Sequence, residues 1–153
     1  MLEAIPRHWF SWDFTLVDEG RPLAEIDTSK WLENGSLTID GKLYPLYREG
    51  PFWGAFVLEH NGNVLACAEK PSAMTRRVVI DHDGDRYVLK PSGLFSSGFL
   101  LFEGDQEIGL LSPRGILSRR ADIVLPDRMP LPVKAFIVWL AVLSWRREAN
   151  SGA

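Results

Sequence analysis

Two pairs of adjacent arginines have the spacing that is most informative about chemistry in this sequence. Arg76-Arg77 and Arg119-Arg120 each stand at the start of a strand-like run, the first pair after Lys70 and the second after Arg114. Because successive strand residues point to opposite faces, one arginine of each pair faces outward. Guanidinium groups on two neighbouring strands could bind a phosphate or another anion in a bidentate manner. The alternative is that these arginines protect strand edges and keep the surface soluble.

Other combinations of reactive residues lack the spacing that their chemistry requires. The stretch DHDGD at 81–85 is followed by Arg86 and Ser92 where a calcium loop needs glycine and a bidentate glutamate. The three histidines are isolated, and Cys67 lies in an apolar run close to Glu69, which disfavours a reactive thiolate. The sequence has no G-x-S-x-G motif. We therefore expect no catalytic residue, no bound metal and no cofactor, and we predict that the protein is not an enzyme.

Aromatic residues cluster at two places along the chain. Trp9-Phe10 and Trp12 lie near the start, and Phe52-Trp53 follow Gly50-Pro51. Aromatic rings at a membrane–water interface act as anchors because one end of the ring system is apolar and the other tolerates water. The alternative is that these side chains plug the ends of a hydrophobic core.

Composition favours one soluble domain in a reducing compartment. The chain has 153 residues, 46% of them hydrophobic, and a net charge of −3. This charge gives no overall attraction to nucleic acid, which is therefore not an expected partner. The single cysteine excludes an intramolecular disulfide framework, and the stretch MLEAIPRHWFSWDF does not resemble a secretory signal. We expect a cytoplasmic protein, with a peripheral position at a membrane as the alternative.

Short strands joined by tight turns are the elements that must position these residues. Asn61-Gly62 separates FVLEH from NVLACAE, and Asp83-Gly84 separates RVVID from RYVLK. Asp40-Gly41 and Gly104-Asp105 mark two further hairpins. Such pairs suit turns whose central residues need positive φ. The pattern predicts about eleven strands in consecutive antiparallel hairpins, and the absence of helices between them argues against a parallel sheet.

The segment PLPVKAFIVWLAVLSWRR at 130–147 is apolar on all sides between Lys134 and Ser144. Residues 133–145 would span about 20 Å as a helix at about 1.5 Å per residue. This length is shorter than the roughly 30 Å hydrocarbon core of a bilayer. An apolar helix in a soluble protein must be enclosed, and a barrel of about eleven or more strands leaves room for a central helix.

We therefore predict an all-β fold with one helix, namely a closed antiparallel barrel of roughly twelve strands around a buried C-terminal helix. Residues 1–147 would form a single domain, with the helix at 132–147 and a disordered tail at 148–153. The helix residues that should contact the inside of the barrel are Phe136, Ile137, Trp139, Leu140 and Leu143.

The order of these elements resembles the superfamily of the tubby C-terminal domain, the LURP-one-like proteins and the phospholipid scramblases. The hairpins FVLEHNGNVLACAE and FLLFEGDQEIGLLSPRG, leading into DRMPLPVKAFIVWLAVLSWRR, carry the resemblance from Trp9 to Arg147. It implies a twelve-stranded barrel around a C-terminal helix and, by analogy with tubby domains, headgroup binding through basic side chains. With one cysteine, the chain departs from the cysteine-rich palmitoylated segment of the scramblases.

These observations together predict a non-enzymatic binding or scaffold module. Its expected partner is an anionic phospholipid, another anion or a protein, and Arg76, Arg77, Arg119 and Arg120 are the expected anion-binding residues. The alternative is a membrane-associated protein that inserts its C-terminal helix into the bilayer.

Overall fold

The structure is a computed structural model that describes residues 1–9, 11–50, 55–72, 75–115 and 118–152. Within these residues, twelve strands are followed by one helix, α1 (Leu131–Ser151). The strands are β1 (Leu2–Pro6), β2 (Phe14–Asp18), β3 (Arg21–Thr28), β4 (Gly35–Ile39), β5 (Lys42–Arg48), β6 (Phe56–His60), β7 (Asn63–Glu69), β8 (Val78–His82), β9 (Asp85–Pro91), β10 (Phe99–Glu103), β11 (Gln106–Pro113) and β12 (Ala121–Val124).

The strands form one closed antiparallel barrel. Each strand pairs with the next along the chain, and β1 closes the ring by pairing with β12 through Leu2 opposite Ile123 and Ala4 opposite Ala121. Closure leaves no unpaired sheet edge. The prediction of a closed antiparallel barrel of about twelve strands is therefore confirmed.

Because the strands alternate in direction, their connections fall at two opposite ends of the barrel. One end, which we call the turn end, has the short turns at 19–20, 40–41, 61–62, 83–84 and 104–105, and the segment 125–130 that leads into α1. The other end, which we call the loop end, has the longer connections at 7–13, 29–34, 49–55, 70–77, 92–98 and 114–120. The helix α1 enters at the turn end and ends at the loop end.

Backbone conformation explains the residues of the turn end. Asn61 and Gly62 have φ of 52° and 80°, and Asp83 and Gly84 have φ of 47° and 83°. Positive φ at both central residues is what a two-residue hairpin turn requires, and glycine adopts it without steric cost. The hairpins that the sequence predicted at these turns are therefore confirmed.

The helix lies inside the barrel and forms the centre of the core. Phe136, Ile137 and Trp139 are fully buried, and Leu140 and Leu143 are nearly so, as predicted. Strand side chains that alternate toward the barrel interior complete this core. The ring of Phe56 on β6, for example, packs edge-on against Trp139 with centroids 5.8 Å apart.

The C-terminal boundary of the helix corrects the sequence prediction. A helix ending at residue 147 with a disordered tail at 148–153 was expected, but α1 continues to Ser151. The reason is tertiary contact, because Glu148 accepts hydrogen bonds from the Arg76 guanidinium at 2.6 Å and from the Ser97 hydroxyl at 3.3 Å. Composition alone did not show these partners.

Candidate functional site

The two ends of the barrel carry opposite charge. With the strand residues that flank the connections included at both ends, the loop end and the last turns of α1 contain eleven basic and five acidic residues, whereas the turn end contains three basic and eight acidic ones. The loop-end basic residues are Arg7, Lys30, Arg48, Lys70, Arg76, Arg77, Arg114, Arg119, Arg120, Arg146 and Arg147, and the acidic ones are Asp13, Glu33, Glu49, Glu69 and Glu148. The turn-end acidic residues are Asp18, Glu19, Asp40, Asp83, Asp85, Glu103, Asp105 and Asp127, and the basic ones are Arg21, Lys42 and Arg128. Such a charge separation attracts an anionic partner to the loop end.

Large apolar side chains are exposed in three different loops of this same end. Trp31 is 90% exposed, Leu94 91% and Phe95 101%, and Trp9 and Leu32 are also mainly exposed. In the described part of the turn end, the exposed large apolar residues are Met1, Leu43, Val64 and Val124, and none of these is aromatic. Isolated exposed apolar residues are common, but exposed aromatic side chains on several loops of one basic surface make this end a candidate interaction site.

The other three loops repeat this composition in the sequence. Phe52-Trp53 lie between β5 and β6, Met74 between β7 and β8, and Ile116-Leu117 between β11 and β12. These residues, like Phe10, lie outside the residues that the structure describes. Part of the predicted aromatic cluster therefore falls in undescribed segments, while Trp9 is exposed and Trp12 packs partly against the core.

The end of α1 holds the loop that carries Trp31 and Leu32. The Arg146 guanidinium donates to the carbonyl oxygens of Ser29 at 2.5 Å and of Leu32 at 3.1 Å. Arg147 forms a bidentate salt bridge with Glu33 of the same loop, with Nε at 3.0 Å from Oε1 and Nη2 at 2.5 Å from Oε2. Arg146 and Arg147 thus hold the loop on both sides of its exposed tip, which is formed by Trp31 and Leu32.

The loop that carries Leu94 and Phe95 is held in a similar way. The Trp145 indole donates to the carbonyl oxygen of Ser97 at 2.6 Å. Arg76 donates to the carbonyl oxygens of Ser96 at 2.9 Å and Gly93 at 3.2 Å, and its guanidinium is anchored to Glu148. These bonds hold the 92–98 backbone while its apolar side chains stay in solvent.

The four predicted arginines lie at the same end of the barrel but do not share one site between neighbouring strands. Strands β8 and β12, which follow the two pairs, are separated by β9, β10 and β11. The condition under which the two pairs could form one anion site, namely that their strands are neighbours, is therefore not met. Arg76 holds the 92–98 loop through the hydrogen bonds given above. Arg77 and Arg120 are exposed and available to a partner.

Arg119 lies against an open cleft of about 580 Å³. Its guanidinium stacks over the Trp12 ring at 4.6 Å and donates to the carbonyl oxygen of Ser11 at 2.8 Å. Trp145 and Glu148 line the same cleft. A cation–π contact of this kind fixes the orientation of the guanidinium, so Arg119 presents a defined positive group at the cleft wall.

A second group of basic residues surrounds Glu33. Arg48 donates to Glu33 Oε2 at 3.4 Å in addition to the two contacts from Arg147. Burial of the Glu33 carboxyl raises its pKa, but the hydrogen bond from Arg147 and the positive charges of Arg147, Arg48 and Arg146 outweigh burial, so the pKa is lowered. The pKa of the Lys70 ammonium is lowered by burial and by the charges of Arg147 and Arg48, against an opposing effect of Glu33.

The described residues that could act as a nucleophile or as metal ligands lie in surroundings that do not favour either role. Burial and the charges of Glu49, Asp81 and Glu69 raise the pKa of the Cys67 thiol, which disfavours a thiolate. His60 stacks on Tyr44 with ring centroids 4.2 Å apart. Among the described residues, no three His, Cys, Asp or Glu side chains are grouped as a metal would require.

Sequence reasoning missed the loop tips at Trp31-Leu32 and Leu94-Phe95. Neither SGLFSSG at 92–98 nor KWLE at 30–33 was among the residues expected to form a site. A usable signal was present, because a large apolar residue or pair stands inside each of the long connections between predicted strands. Only the strand order shows that these connections meet at one end.

Comparison of the chain with protein-family models, with curated proteins and with solved structures found no match. Among the described residues, no helix combines the length and the apolar content that crossing a membrane requires.

Proposed function

We propose that this protein is a non-enzymatic, peripheral membrane-binding module that docks on anionic lipid surfaces with its loop end. The observation that carries the proposal is the combination of exposed Trp31, Leu94 and Phe95 with the basic residues of the same end. Interfacial proteins combine apolar side chains, which enter the headgroup region, with cations that attract anionic lipids.

The expected energies are sufficient for reversible binding. Moving a Trp, Phe or Leu side chain out of water contributes up to about 1.5–3 kcal/mol each. Each Lys or Arg close to an anionic surface adds about 1 kcal/mol. The clamps from Arg146, Trp145 and Arg76 fix the loop backbones before binding, which reduces the conformational entropy that is lost on docking. The acidic turn end would be repelled, so one orientation is favoured.

The position of α1 supports docking by loops rather than by helix insertion. The apolar face that would enter a bilayer is enclosed by the barrel, with Phe136 and Trp139 fully buried. Its last turns also hold the two loop tips through Trp145 and Arg146. Inserting the helix would break both the core and the loop clamps.

The resemblance to tubby-like proteins is part of this proposal. A twelve-stranded barrel around a C-terminal helix is the fold that the resemblance implies, and headgroup binding is the activity that it suggests. The loop end identified above is the surface of this chain that we assign to that activity.

The test is flotation of the full-length protein with neutral phosphatidylcholine vesicles and with vesicles that contain phosphatidylserine, at low and high salt. We expect binding to anionic vesicles that weakens with salt, because surface charge is screened. R77E/R120E should weaken binding, whereas R21E/K42E, which makes the same charge change at exposed turn-end positions, should not. Equal effects of the two double variants, or no flotation at all, would refute the proposal.

A further inference from the structure

We propose that Arg48, Lys70 and Arg147 form a binding site for a phosphate monoester, and that the Glu33 carboxylate occupies this site as an internal competitor. The proposal rests on the proposed function where it assigns the ligand to a lipid headgroup. The phosphate chemistry itself does not require a membrane.

The geometry around Glu33 is that of a bound anion. Its two carboxylate oxygens accept from Nε and Nη2 of Arg147 at 3.0 and 2.5 Å, which is a bidentate arrangement. Arg48, at the end of β5, lies 3.4 Å from the same Oε2. Arginine forks of this kind bind carboxylate and phosphate alike, so a phosphate could make the same bonds.

The charges in this site are unbalanced when Glu33 fills it. One carboxylate contacts Arg48 and Arg147, Lys70 lines a small cavity together with Arg147, and the positive charge of Arg146 also acts on the carboxylate. The side chains are only partly exposed, at 24% for Glu33, 30% for Arg48 and 37% for Arg147, so water screens the cations incompletely. A phosphate monoester carries up to two negative charges near neutral pH and complements these cations better than a carboxylate does.

The cations are preorganised by an aromatic ring. The guanidinium carbons of Arg48 and Arg147 lie 5.9 and 6.0 Å from the centroid of the Phe56 ring. Arg147 is also carried by the helix, and Arg48 by the end of β5. Their positions therefore do not depend on Glu33 alone, so the site should persist when the carboxylate leaves.

Glu33 is placed so that membrane docking would act on it. It directly follows Leu32 in the loop whose tip, Trp31 and Leu32, is exposed. A shift of this tip into a bilayer interface would move the adjacent carboxylate. Exchange of Glu33 for a headgroup phosphate would then couple apolar insertion to headgroup binding.

The decisive experiment titrates inorganic phosphate into the full-length wild-type protein, E33Q and E49Q by calorimetry, without vesicles. Glu49 is exposed and lies at the same end, so E49Q makes the same charge change without vacating the site. We expect E33Q to bind phosphate at least tenfold more tightly than both other proteins. The gain should disappear in E33Q/R147Q and fall in E33Q/K70Q. Equal affinities of E33Q and E49Q would overturn the proposal.

Two further measurements check that the fold of E33Q is intact and that a carboxylate is the competitor. Thermal unfolding of E33Q checks that the barrel is intact, and E33D, which keeps a shorter carboxylate in place, should bind phosphate with intermediate affinity. If E33D binds phosphate as tightly as E33Q, competition by a carboxylate is excluded.

Vesicles with phosphatidic acid, which bears a phosphate monoester, are then compared with vesicles with phosphatidylglycerol at equal surface charge. Stronger binding of E33Q to phosphatidic acid assigns the site to lipid headgroups. Phosphate binding by E33Q without any vesicle binding would refute the membrane function but support a site for soluble phosphate esters.

Discussion

The turn end and the loop end close the same strands in opposite ways. At the turn end, the two-residue connections combine Gly with Asp, Asn or, at position 19, Glu, and a backbone with positive φ favours Gly, Asn and Asp. At the loop end, the connections are six residues or longer and contain Trp, Phe, Leu, Arg and Lys, none of which a loop backbone requires. The fold therefore explains the composition of one end and leaves that of the other to be explained by function.

The contacts at the two ends differ in the same way. At the turn end, ion pairs such as Arg128 with Glu103 at 2.8 Å lie on the surface between adjacent elements. At the loop end, Trp145, Arg146, Arg147 and Glu148 reach out from the helix to the loops. The helix thus holds loops whose apolar tips stay exposed to solvent. This arrangement is expected if the tips bind a partner.

The largest expected effect comes from breaking the helix that links the two ends. Leu140 is 5% exposed inside the barrel, and Leu140→Asp would place an unpaired charge in the core. The cost is several kcal/mol, comparable to the whole stability of about 5–15 kcal/mol for a domain. We expect loss of the cooperative unfolding transition in circular dichroism.

Asn150→Asp adds the same charge at an exposed position of the same helix and serves as the control. It should unfold within about 0.5 kcal/mol of the wild type. A soluble Leu140→Asp protein that unfolds cooperatively at the wild-type temperature would contradict a helix-centred core.

The second effect separates the apolar residues of the two ends. Trp31→Ser and Phe95→Ser should each weaken binding to anionic vesicles by about tenfold, because each removes an apolar side chain worth about 1.5–3 kcal/mol on burial. Stability should hardly change, since both side chains are almost fully exposed. The measurement is vesicle co-sedimentation at several lipid concentrations.

Leu43→Ser and Val64→Ser are the matched changes at the turn end, where both side chains are also exposed. Their vesicle affinity should stay within about twofold of the wild type, well below the effect of a buried apolar side chain. If they weaken binding as much as the loop-tip variants do, the distinction between the ends is wrong.

A third and smaller effect tests whether the backbone conformation at each end requires glycine. Gly62 has φ of +80° and no atoms within 4 Å of an added Cβ, so Gly62→Ala meets backbone strain alone. We expect a loss of about 1–2 kcal/mol in the free energy of unfolding, measured in urea. Gly93→Ala at the loop end, where the nearest atom is Ser96 Cβ at 3.6 Å, should be nearly neutral. Equal losses would show that both ends are limited by their backbone.

The sequence predicted the barrel because the signals that specify it are local. Asn61-Gly62 and Asp83-Gly84 each fix a hairpin within a few residues, and the apolar run around Trp139 requires an enclosure wherever it lies. Consecutive hairpins then leave closure as the arrangement without free edges.

The site was less predictable because it depends on distant residues meeting at one end. Arg76 and Glu148 are 72 positions apart, and nothing local indicates that they pair. The arginine pairs were correctly singled out as exposed in part, but their separation by intervening strands follows only from the strand order. The Glu33 cluster likewise joins a loop, a strand end and the helix. No local sequence pattern indicates that these three segments meet.

The smallest expected effect is the pH dependence of the Glu33 contacts. The pKa of Glu33 is lowered in the folded protein, since burial, which raises it, is outweighed by the bond from Arg147 and the nearby positive charges. A lowered folded pKa means that the contribution to stability is present above the unfolded value of about 4.3 and is lost as pH falls through the folded pKa. We expect about 1 kcal/mol or less, because the pair is partly exposed.

Urea unfolding of the wild type and E33Q at pH 6 and pH 3.5 measures this effect. The difference in stability between the two proteins should be smaller at pH 3.5 than at pH 6, whereas E49Q should follow the wild type at both. A wild-type advantage over E33Q that persists unchanged at pH 3.5 would show that the contact does not depend on the charge of Glu33. A smaller difference at pH 3.5 would show that the contact depends on the ionised Glu33 carboxylate, which is the group that phosphate is proposed to displace.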